Sequence, residues 1–208
     1  MDQSALTTTQ RTLLEELGTT KLAEAFYLAG GTGLAMHIAH RPSEDFDFFS
    51  DFPFDVEKHH QLVAHHLPNQ LVLADRQTLI VKIQGVQVSF MSYPYQTLLP
   101  PRTLQPGISV ASIQDIGTMK LSTIAARGAK RDFIDLYFIC LTGLSLNQLI
   151  EMYEKRFASS AADRYHLMRS LTYFVDAEDD PTPTMNKPAA WADVKSYFVA
   201  EVKKLVGK

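Results

Sequence analysis

The chain has 208 residues, of which 46% are hydrophobic and 21% are charged, a balance typical of a globular protein that closes its own core. The net charge of −3 gives no general attraction for nucleic acid, so such a partner would need a local basic patch. A single cysteine, Cys140, excludes an internal disulfide and a thiolate zinc site. The sequence has neither a signal-like start nor a run of about 20 apolar residues. We therefore expect a soluble, cytoplasmic protein with no membrane partner.

Strands and helices alternate in the predicted front half. The chain opens with an amphipathic helix over residues 8–17. The apolar run 26–29, followed by Gly30 and Gly31, predicts a strand and a tight turn that leads into a helix. The further elements predicted from residue type and periodicity are a strand at 45–50, a helix at 55–67, and strands at 71–73, 78–83 and 86–91.

The back half is predicted to be helical. Four prolines between Tyr93 and Gly107 predict an extended connector across the surface, and the acidic stretch 176–183 predicts a loop. Helices are predicted near 114–127, 131–142, 146–157, 163–174 and 190–206. We predict an α+β protein, with a mixed β-sheet and flanking helices in residues 1–112 and a helical region at 113–208 packed on it.

Gly30, Gly31 and Thr32 combine the features of a phosphate site. Glycines let the backbone approach a bulky anion, and the helix that follows directs free N–H groups toward it, while the Thr32 hydroxyl is a donor for a terminal phosphate. Asp45 and Asp47 alternate with phenylalanines on the next strand, so both carboxylates point to one face. Such a pair suits Mg²⁺ or Mn²⁺ that bridges phosphate oxygens. We expect the turn and the aspartates to converge in one cleft at the edge of the sheet.

Two segments carry a resemblance to a known family. The stretch FYLAGGTGLAMHIAHRPSEDFDFFS resembles the signature of the AbiEii/AbiGii family of abortive-infection and toxin–antitoxin nucleotidyltransferases, within the polymerase-β-like superfamily. The later segment IQDIGTMKLSTIAARGAKRDFIDLYFI resembles the family's second block, with a lysine on one helix and aspartates on the next. Together with the intervening YPY, the resemblance covers residues 20–205. It implies a nucleotidyltransferase fold and an enzyme that transfers a nucleoside monophosphate from a nucleoside triphosphate to an acceptor.

The resemblance also implies a set of site residues. These are Asp45 and Asp47 for the metal, Gly31 and Thr32 for the triphosphate, and Lys120 and Asp135 to complete the active site. We expect the helical half to bring Lys120 and Asp135 toward the aspartate pair, because a phosphate site needs a cation that the front half does not place nearby. Asp132, on the same predicted helix as Asp135, is interpreted either as its neighbour or as a charge at the helix N-terminus.

One position departs from the superfamily pattern. A third carboxylate is expected on the strand at 86–91, where Ser89 stands instead, and no Asp or Glu lies between Arg76 and Gln114. Metal bound with the triphosphate is therefore better supported than metal that activates the nucleophile. Catalysis would use one well-held metal, or Asp135 as a distant substitute, or it would be weak.

The acceptor stays open on the sequence alone. By resemblance it is the 3′ end of a transfer RNA or a protein side chain, and the protein is the toxin partner of a cognate antitoxin. Ser89 favours a second hypothesis, a non-catalytic nucleotide-binding module, and a third hypothesis is an enzyme that modifies a small molecule.

The histidines are interpreted as surface residues. A predicted exposed helix carries His59, His60, His65 and His66, with neither a cysteine nor a clear acidic partner for a metal. His40, near the end of the helix that follows the glycine turn, is also expected at the surface.

Overall fold

The computed structural model describes residues 5–158 and 164–207. The chain divides into two compact units that meet in sequence between Ser112 and Ile113. Among the described residues, all strands belong to the first unit, and the second unit is built from helices.

One mixed sheet organises the first unit. Its helices and strands are, in chain order, α1 (Thr8–Thr19), β1 (Tyr27–Leu28), α2 (Gly30–Ile38), β2 (Phe46–Ser50), α3 (Val56–His66), β3 (Gln70–Ala74), β4 (Thr78–Ile83), β5 (Val86–Ser92), β6 (Arg102–Gln105) and β7 (Ile108–Val110). Within the described chain the sheet has seven strands in the order β3-β4-β5-β2-β1-β7-β6. β2 is parallel to β5 and β1 is parallel to β7, and the other neighbouring pairs are antiparallel.

Local sequence explains the start of α1 and the two faces of β2. The Thr7 hydroxyl accepts from the Gln10 N–H at 3.2 Å, and the Gln10 side chain accepts from the Thr7 N–H at 2.9 Å, which closes a capping box. On β2, Phe46 and Phe48 are fully buried and Asp47 is half-buried. The predicted alternation of this strand is confirmed, because successive side chains of a strand point to opposite faces.

The predicted connector between Tyr93 and Gly107 is wrong in part, because it contains β6 and leads directly into β7. β6 lies at the edge of the sheet. Prolines are tolerated there because one side of an edge strand makes no hydrogen bonds to a neighbouring strand. β7 has only three residues, too few for a period to be recognised. It adds to the sheet beside β1, where Tyr27 pairs with Ser109.

The second unit follows the predicted helices closely. It contains α4 (Ile113–Arg127), α5 (Lys130–Cys140), α6 (Leu146–Arg156), α7 (Arg164–Ser170), α8 (Val175–Glu178) and α9 (Trp191–Val206). α7 ends earlier than predicted, at a turn in which the Thr172 N–H donates to the Arg169 carbonyl, and residue 163 lies outside the described residues. α8 replaces the start of the predicted acidic loop, with Asp176 and Glu178 in its first turn, where negative charge is favourable. None of the helices in the described ranges is long and apolar enough to cross a membrane.

His59 is not a surface residue, contrary to the sequence interpretation. Its ring lies 5.2 Å from that of Phe26, 5.5 Å from that of Phe54 and 4.5 Å from that of Phe90, measured between centroids. His65 and His66, on the last turn of α3, are exposed as expected. The periodicity of the helix does not reveal this environment, because Phe26, Phe54 and Phe90 all lie outside α3. Burial lowers the pKa of His59 to about 4.

We predict that His59 makes the protein less stable in mild acid. Its pKa is about 4 in the folded chain against an ordinary value of 6.5, so the stability is complete above about pH 6.5 and is lost as the pH falls toward 4. His59→Phe should remove this loss, and the free energy of unfolding from urea titrations at pH 7 and pH 5 should show a difference of about 2 kcal/mol from wild type in its pH dependence. His65→Phe is the exposed control. Identical pH dependence in wild type and His59→Phe would contradict the prediction.

Candidate active site

Backbone hydrogen bonds hold the glycine turn against the aspartate strand. The Ala29 N–H donates to the Asp47 carbonyl at 2.9 Å, and the Thr32 hydroxyl donates to the Asp45 carbonyl. Leu28 pairs with Phe48 in the antiparallel register of β1 and β2. The turn and the two aspartates therefore lie side by side. They lie at the ends of two central strands rather than at the sheet edge, because the unpredicted β7 and β6 extend the sheet beyond β1.

Gly30 is the point of closest approach between the turn and the aspartates. Its φ is +60°, and a Cβ placed on it would lie 2.4 Å from Oδ2 of Asp47. No side chain fits in that space, so glycine is required both by the left-handed backbone and by the neighbouring carboxylate. As a result, the Asp47 carboxylate lies directly against the backbone that starts α2.

Arg41 is a cation beside the turn that the sequence analysis missed. A Cβ placed on Gly31 would lie 2.7 Å from Nη2 of Arg41 and 2.8 Å from Oγ of Ser43. α2 ends at Ala39 in the left-handed conformation, with φ 48°, and the residues that follow turn inward, so that His40 is 0% and Arg41 7% exposed. The expected surface position of His40 is therefore wrong, and so is the expectation that the front half lacks a nearby cation. The signal in the sequence that could have identified this cation was the position of Arg41 between the glycine turn and the Asp45/Asp47 pair.

Ser89 lies beside Asp47 in the sheet. The two residues are Cα partners in the parallel pairing of β2 and β5, and Ile80 is the next partner on β4. Ser89 is buried, so the neighbouring strand places a hydroxyl and not a carboxylate next to Asp47. Among residues 5–158 and 164–207, no three His, Cys, Asp or Glu side chains form a group that could hold a metal. The carboxylates at this point of the first unit are thus a pair.

The Thr32 hydroxyl is engaged within the protein. Thr32 is 1% exposed, and its hydroxyl donates to the Asp45 carbonyl. This bond positions the turn, and the expected contact of Thr32 with a triphosphate stays a prediction. The first N–H groups of α2 have no side-chain cap at Ala29.

In the second unit, Lys120 and Asp135 are partners of each other. Nζ of Lys120 lies 2.6 Å from Oδ2 of Asp135 and 2.8 Å from Oδ1 of Asp132, and all three side chains are buried. Arg127 completes the group, with Nη2 at 3.0 Å from Oδ2 of Asp132. We call these four residues the α4–α5 charge network. Asp132 thus contributes more than a charge at the N-terminus of α5.

The electrostatics of this network keep Lys120 and Asp132 charged. Burial alone would lower the pKa of Lys120, but the charges of Asp135 and Asp132 raise it above its ordinary value. Burial would likewise raise the pKa of Asp132, but Lys120 and then Arg127 lower it. Opposite charges at hydrogen-bonding distance outweigh the cost of removing them from water. That Lys120 and Asp135 complete the active site with the aspartate pair stays a prediction.

Most of the chain matches a family of known proteins. A family model described as "Nucleotidyl transferase AbiEii toxin, Type IV TA system" matches residues 12–204. The chain belongs to this family. An uncharacterized protein of Aquifex aeolicus (strain VF5) is 33% identical over 198 residues, which cover 93% of this chain and 94% of that protein. The family expected from the two sequence segments is confirmed.

Two solved structures share the fold of this AbiEii-family protein. An H. pylori protein assigned as a nucleotidyltransferase has a TM-score of 0.53 at 16% identity, and the match covers 97% of this chain and 98% of that one. ANT(2")-Ia, solved with adenylyl-2"-tobramycin, has a TM-score of 0.53 at 13% identity, covering 74% and 100% of the two chains. The predicted nucleotidyltransferase fold is confirmed.

We predict that Lys120→Met destabilises the protein strongly. The change leaves the Asp135 carboxylate buried beside Asp132 without its cation, and loss of one partner from a buried ion pair costs about 3–5 kcal/mol. Urea denaturation measures the loss. Lys120→Met with Asp135→Asn, which removes opposite charges together, is the matched control and should recover part of it. Unchanged stability of Lys120→Met together with lost transfer activity would contradict a mainly structural role.

Proposed function

We propose that this AbiEii-family protein transfers a nucleoside monophosphate from a nucleoside triphosphate to an acceptor. The observation that carries the proposal is the contact of the Asp47 carboxylate with Gly30, with the Arg41 guanidinium beside Gly31. This arrangement brings together two carboxylates that can bind a metal, the uncapped N–H groups at the start of α2, and the cation of Arg41. Binding the phosphates of a nucleoside triphosphate uses all three kinds of group.

The donor set of Asp45 and Asp47 fits Mg²⁺ or Mn²⁺. Magnesium is usually held by one or two carboxylates together with substrate phosphates, and the carboxylates here number two. Glycine at position 30 leaves the space that a side chain would take from the Asp47 carboxylate. When bound, the metal would neutralise phosphate charge during transfer.

The start of α2 and Arg41 would hold the phosphates. The N–H groups of Gly30 and Gly31 would donate to phosphate oxygens at the positive end of a nine-residue helix. Arg41 would offset the charge of the departing phosphates, since a guanidinium forms paired hydrogen bonds to phosphate. Thr32 would hold the turn against Asp45.

In the proposed reaction, an acceptor hydroxyl oxygen bonds to the α-phosphorus as the bond from that phosphorus to the bridging oxygen breaks. Pyrophosphate leaves, and the hydroxyl proton passes to water. Lys120 and Asp135 stay proposed participants. The Arg41 guanidinium lies beside Gly31 at the start of α2, so we give Arg41 the leading role among the cations.

The acceptor that we propose is the 3′ end of a transfer RNA or a protein side chain. The family description as a toxin of a type IV system supports this choice and a cognate antitoxin as a partner. The bound product in the ANT(2")-Ia structure is adenylyl-2"-tobramycin, which keeps a small-molecule acceptor as the alternative. A non-catalytic nucleotide-binding module is the second candidate function, and the burial of Ser89 beside Asp47 favours it.

Binding and chemistry should respond differently to changes at the aspartate pair. Calorimetric titration of each triphosphate should show binding that depends on magnesium, and Asp45→Asn with Asp47→Asn should reduce the affinity to its magnesium-free level because two metal ligands lose their charge. Ser89→Asp should keep binding and raise transfer in a labelled-nucleotide assay. Equal affinity with and without magnesium in all variants would exclude the metal assignment. Binding without transfer to any acceptor in RNA and protein mixtures would favour the module.

Gly30→Ala should impair binding more than its effect on stability explains. The added Cβ would push the Asp47 carboxylate aside, and displaced metal ligands typically lower metal affinity about 10- to 100-fold. Gly85→Ala is the matched control, since Gly85 also has a positive φ, of 86°, but has no atom within 4 Å of an added Cβ. Both variants should lose about 1–2 kcal/mol of stability to the left-handed backbone. Magnesium-dependent nucleotide affinity, measured by calorimetry, should fall only in Gly30→Ala.

A further inference from the structure

A row of aromatic rings begins two residues beyond Asp47. Phe49 lies on the same face of β2 as Asp47, because side chains two apart on a strand share a face. Its ring centroid is 6.1 Å from that of Tyr27, with the planes 26° apart, and 5.4 Å from that of Tyr93. The ring of Tyr95 follows at 4.9 Å from that of Tyr93. We call these four residues the aromatic row.

The backbone fixes the outer end of this row. The Tyr93 N–H donates to the Ser50 carbonyl at 2.7 Å, which extends the pairing of β2 and β5, and the Tyr95 N–H donates to the Tyr93 carbonyl at 2.7 Å. The second bond closes a three-residue turn around Pro94, whose ring restricts its own φ. The two tyrosines are thus held close together before any ligand arrives, so little conformational entropy remains to be lost on binding.

The aromatic row differs from the aromatic core on the opposite face of the sheet. There, Phe46, Phe48 and Phe90 are 0% exposed and pack under helices. In the row only Tyr27 is buried, whereas Phe49, Tyr93 and Tyr95 are half-buried. A half-exposed aromatic ring can contact a planar ligand in addition to the residues that it already touches.

The row lies at a distance from Asp47 that suits a nucleotide. Two residues of a strand span about 7 Å, so Phe49 follows the carboxylate at roughly the length of a sugar, and the tyrosines continue outward from it. A phosphate near the glycine turn and Asp47 would thus direct an attached base toward the row.

We propose that Tyr93 and Tyr95 form a platform on which a nucleobase stacks. The inference rests on the proposed function and deepens it, because it names the part of the ligand that the row receives. Stacking on an aromatic side chain tolerates every base, so the row would add affinity without selecting one base strongly. The base belongs either to the incoming triphosphate or to the terminal nucleotide of an acceptor, and the two sources share the same chemistry.

The experiment compares ligands with and without a base on the full chain. Calorimetry with magnesium would use ATP, CTP, GTP and UTP, inorganic tripolyphosphate, and a short single-stranded oligonucleotide with a free 3′ hydroxyl. The variants are Tyr93→Ala and Tyr95→Ala, with Tyr93→Phe as the control that keeps the ring and the exposed Tyr165→Ala as a control in the second unit. Thermal unfolding checks the fold of each variant, and Tyr93→Leu replaces Tyr93→Ala if that variant does not fold.

Loss of either ring should weaken binding of every triphosphate about 10- to 100-fold and leave tripolyphosphate binding unchanged. Tyr93→Phe and Tyr165→Ala should match wild type. Weakened oligonucleotide binding with unchanged triphosphate binding would assign the base to the acceptor and still support the platform. The platform is excluded if tripolyphosphate is weakened as much as the triphosphates, or if neither base-containing ligand is affected. Failure of the proposed function is separate, since it appears as equal triphosphate affinity with and without magnesium in the wild-type protein.

Discussion

The approach of the Asp47 carboxylate to the backbone of Gly30 is the constraint on which the candidate site depends. A Cβ at position 30 would overlap the carboxylate at 2.4 Å, so β2 can lie against the start of α2 only when that position has no side chain. The hydrogen bonds from the Ala29 N–H to the Asp47 carbonyl and from the Thr32 hydroxyl to the Asp45 carbonyl then fix the distance between the glycine turn and β2. Carboxylates, helix N–H groups and Arg41 thereby come to one place, where a phosphate group would meet both signs of charge.

The two units use charge in different ways. Beside the glycine turn, the Asp47 carboxylate and the Arg41 guanidinium lie against the backbone that starts a helix. In the α4–α5 charge network the groups complete each other, with Lys120 between Asp132 and Asp135 at 2.8 and 2.6 Å. Buried charges need such partners because an unpaired one is costly. The second block of the family resemblance therefore has a structural explanation within its own unit, whatever part it takes in chemistry.

Ser89 limits what the first unit contributes to catalysis. Its position as the Cα partner of Asp47 is set by the parallel pairing of β2 and β5, so the carboxylates of this face stay a pair. Two carboxylates are sufficient for a metal that also coordinates phosphates. A metal that activates a hydroxyl generally needs its position fixed more closely by the protein. The proposed platform in the aromatic row would compensate for this, because stacking can orient a nucleotide without any additional charge.

Local patterns determined much of this protein. The strand, glycine turn, helix and Asp-x-Asp strand were predictable because alternation and glycine placement are properties of neighbouring residues, and the helices of the second unit were predictable from their apolar stripes. Tertiary structure alone decided the rest. β7 is too short to show a period, and Arg41 is significant only because the chain turns back at Ala39. His59 is half-buried because Phe26 and Phe90, which lie outside its helix, pack against its ring. Contacts between residues distant in sequence decide these features, and local sequence patterns do not record them.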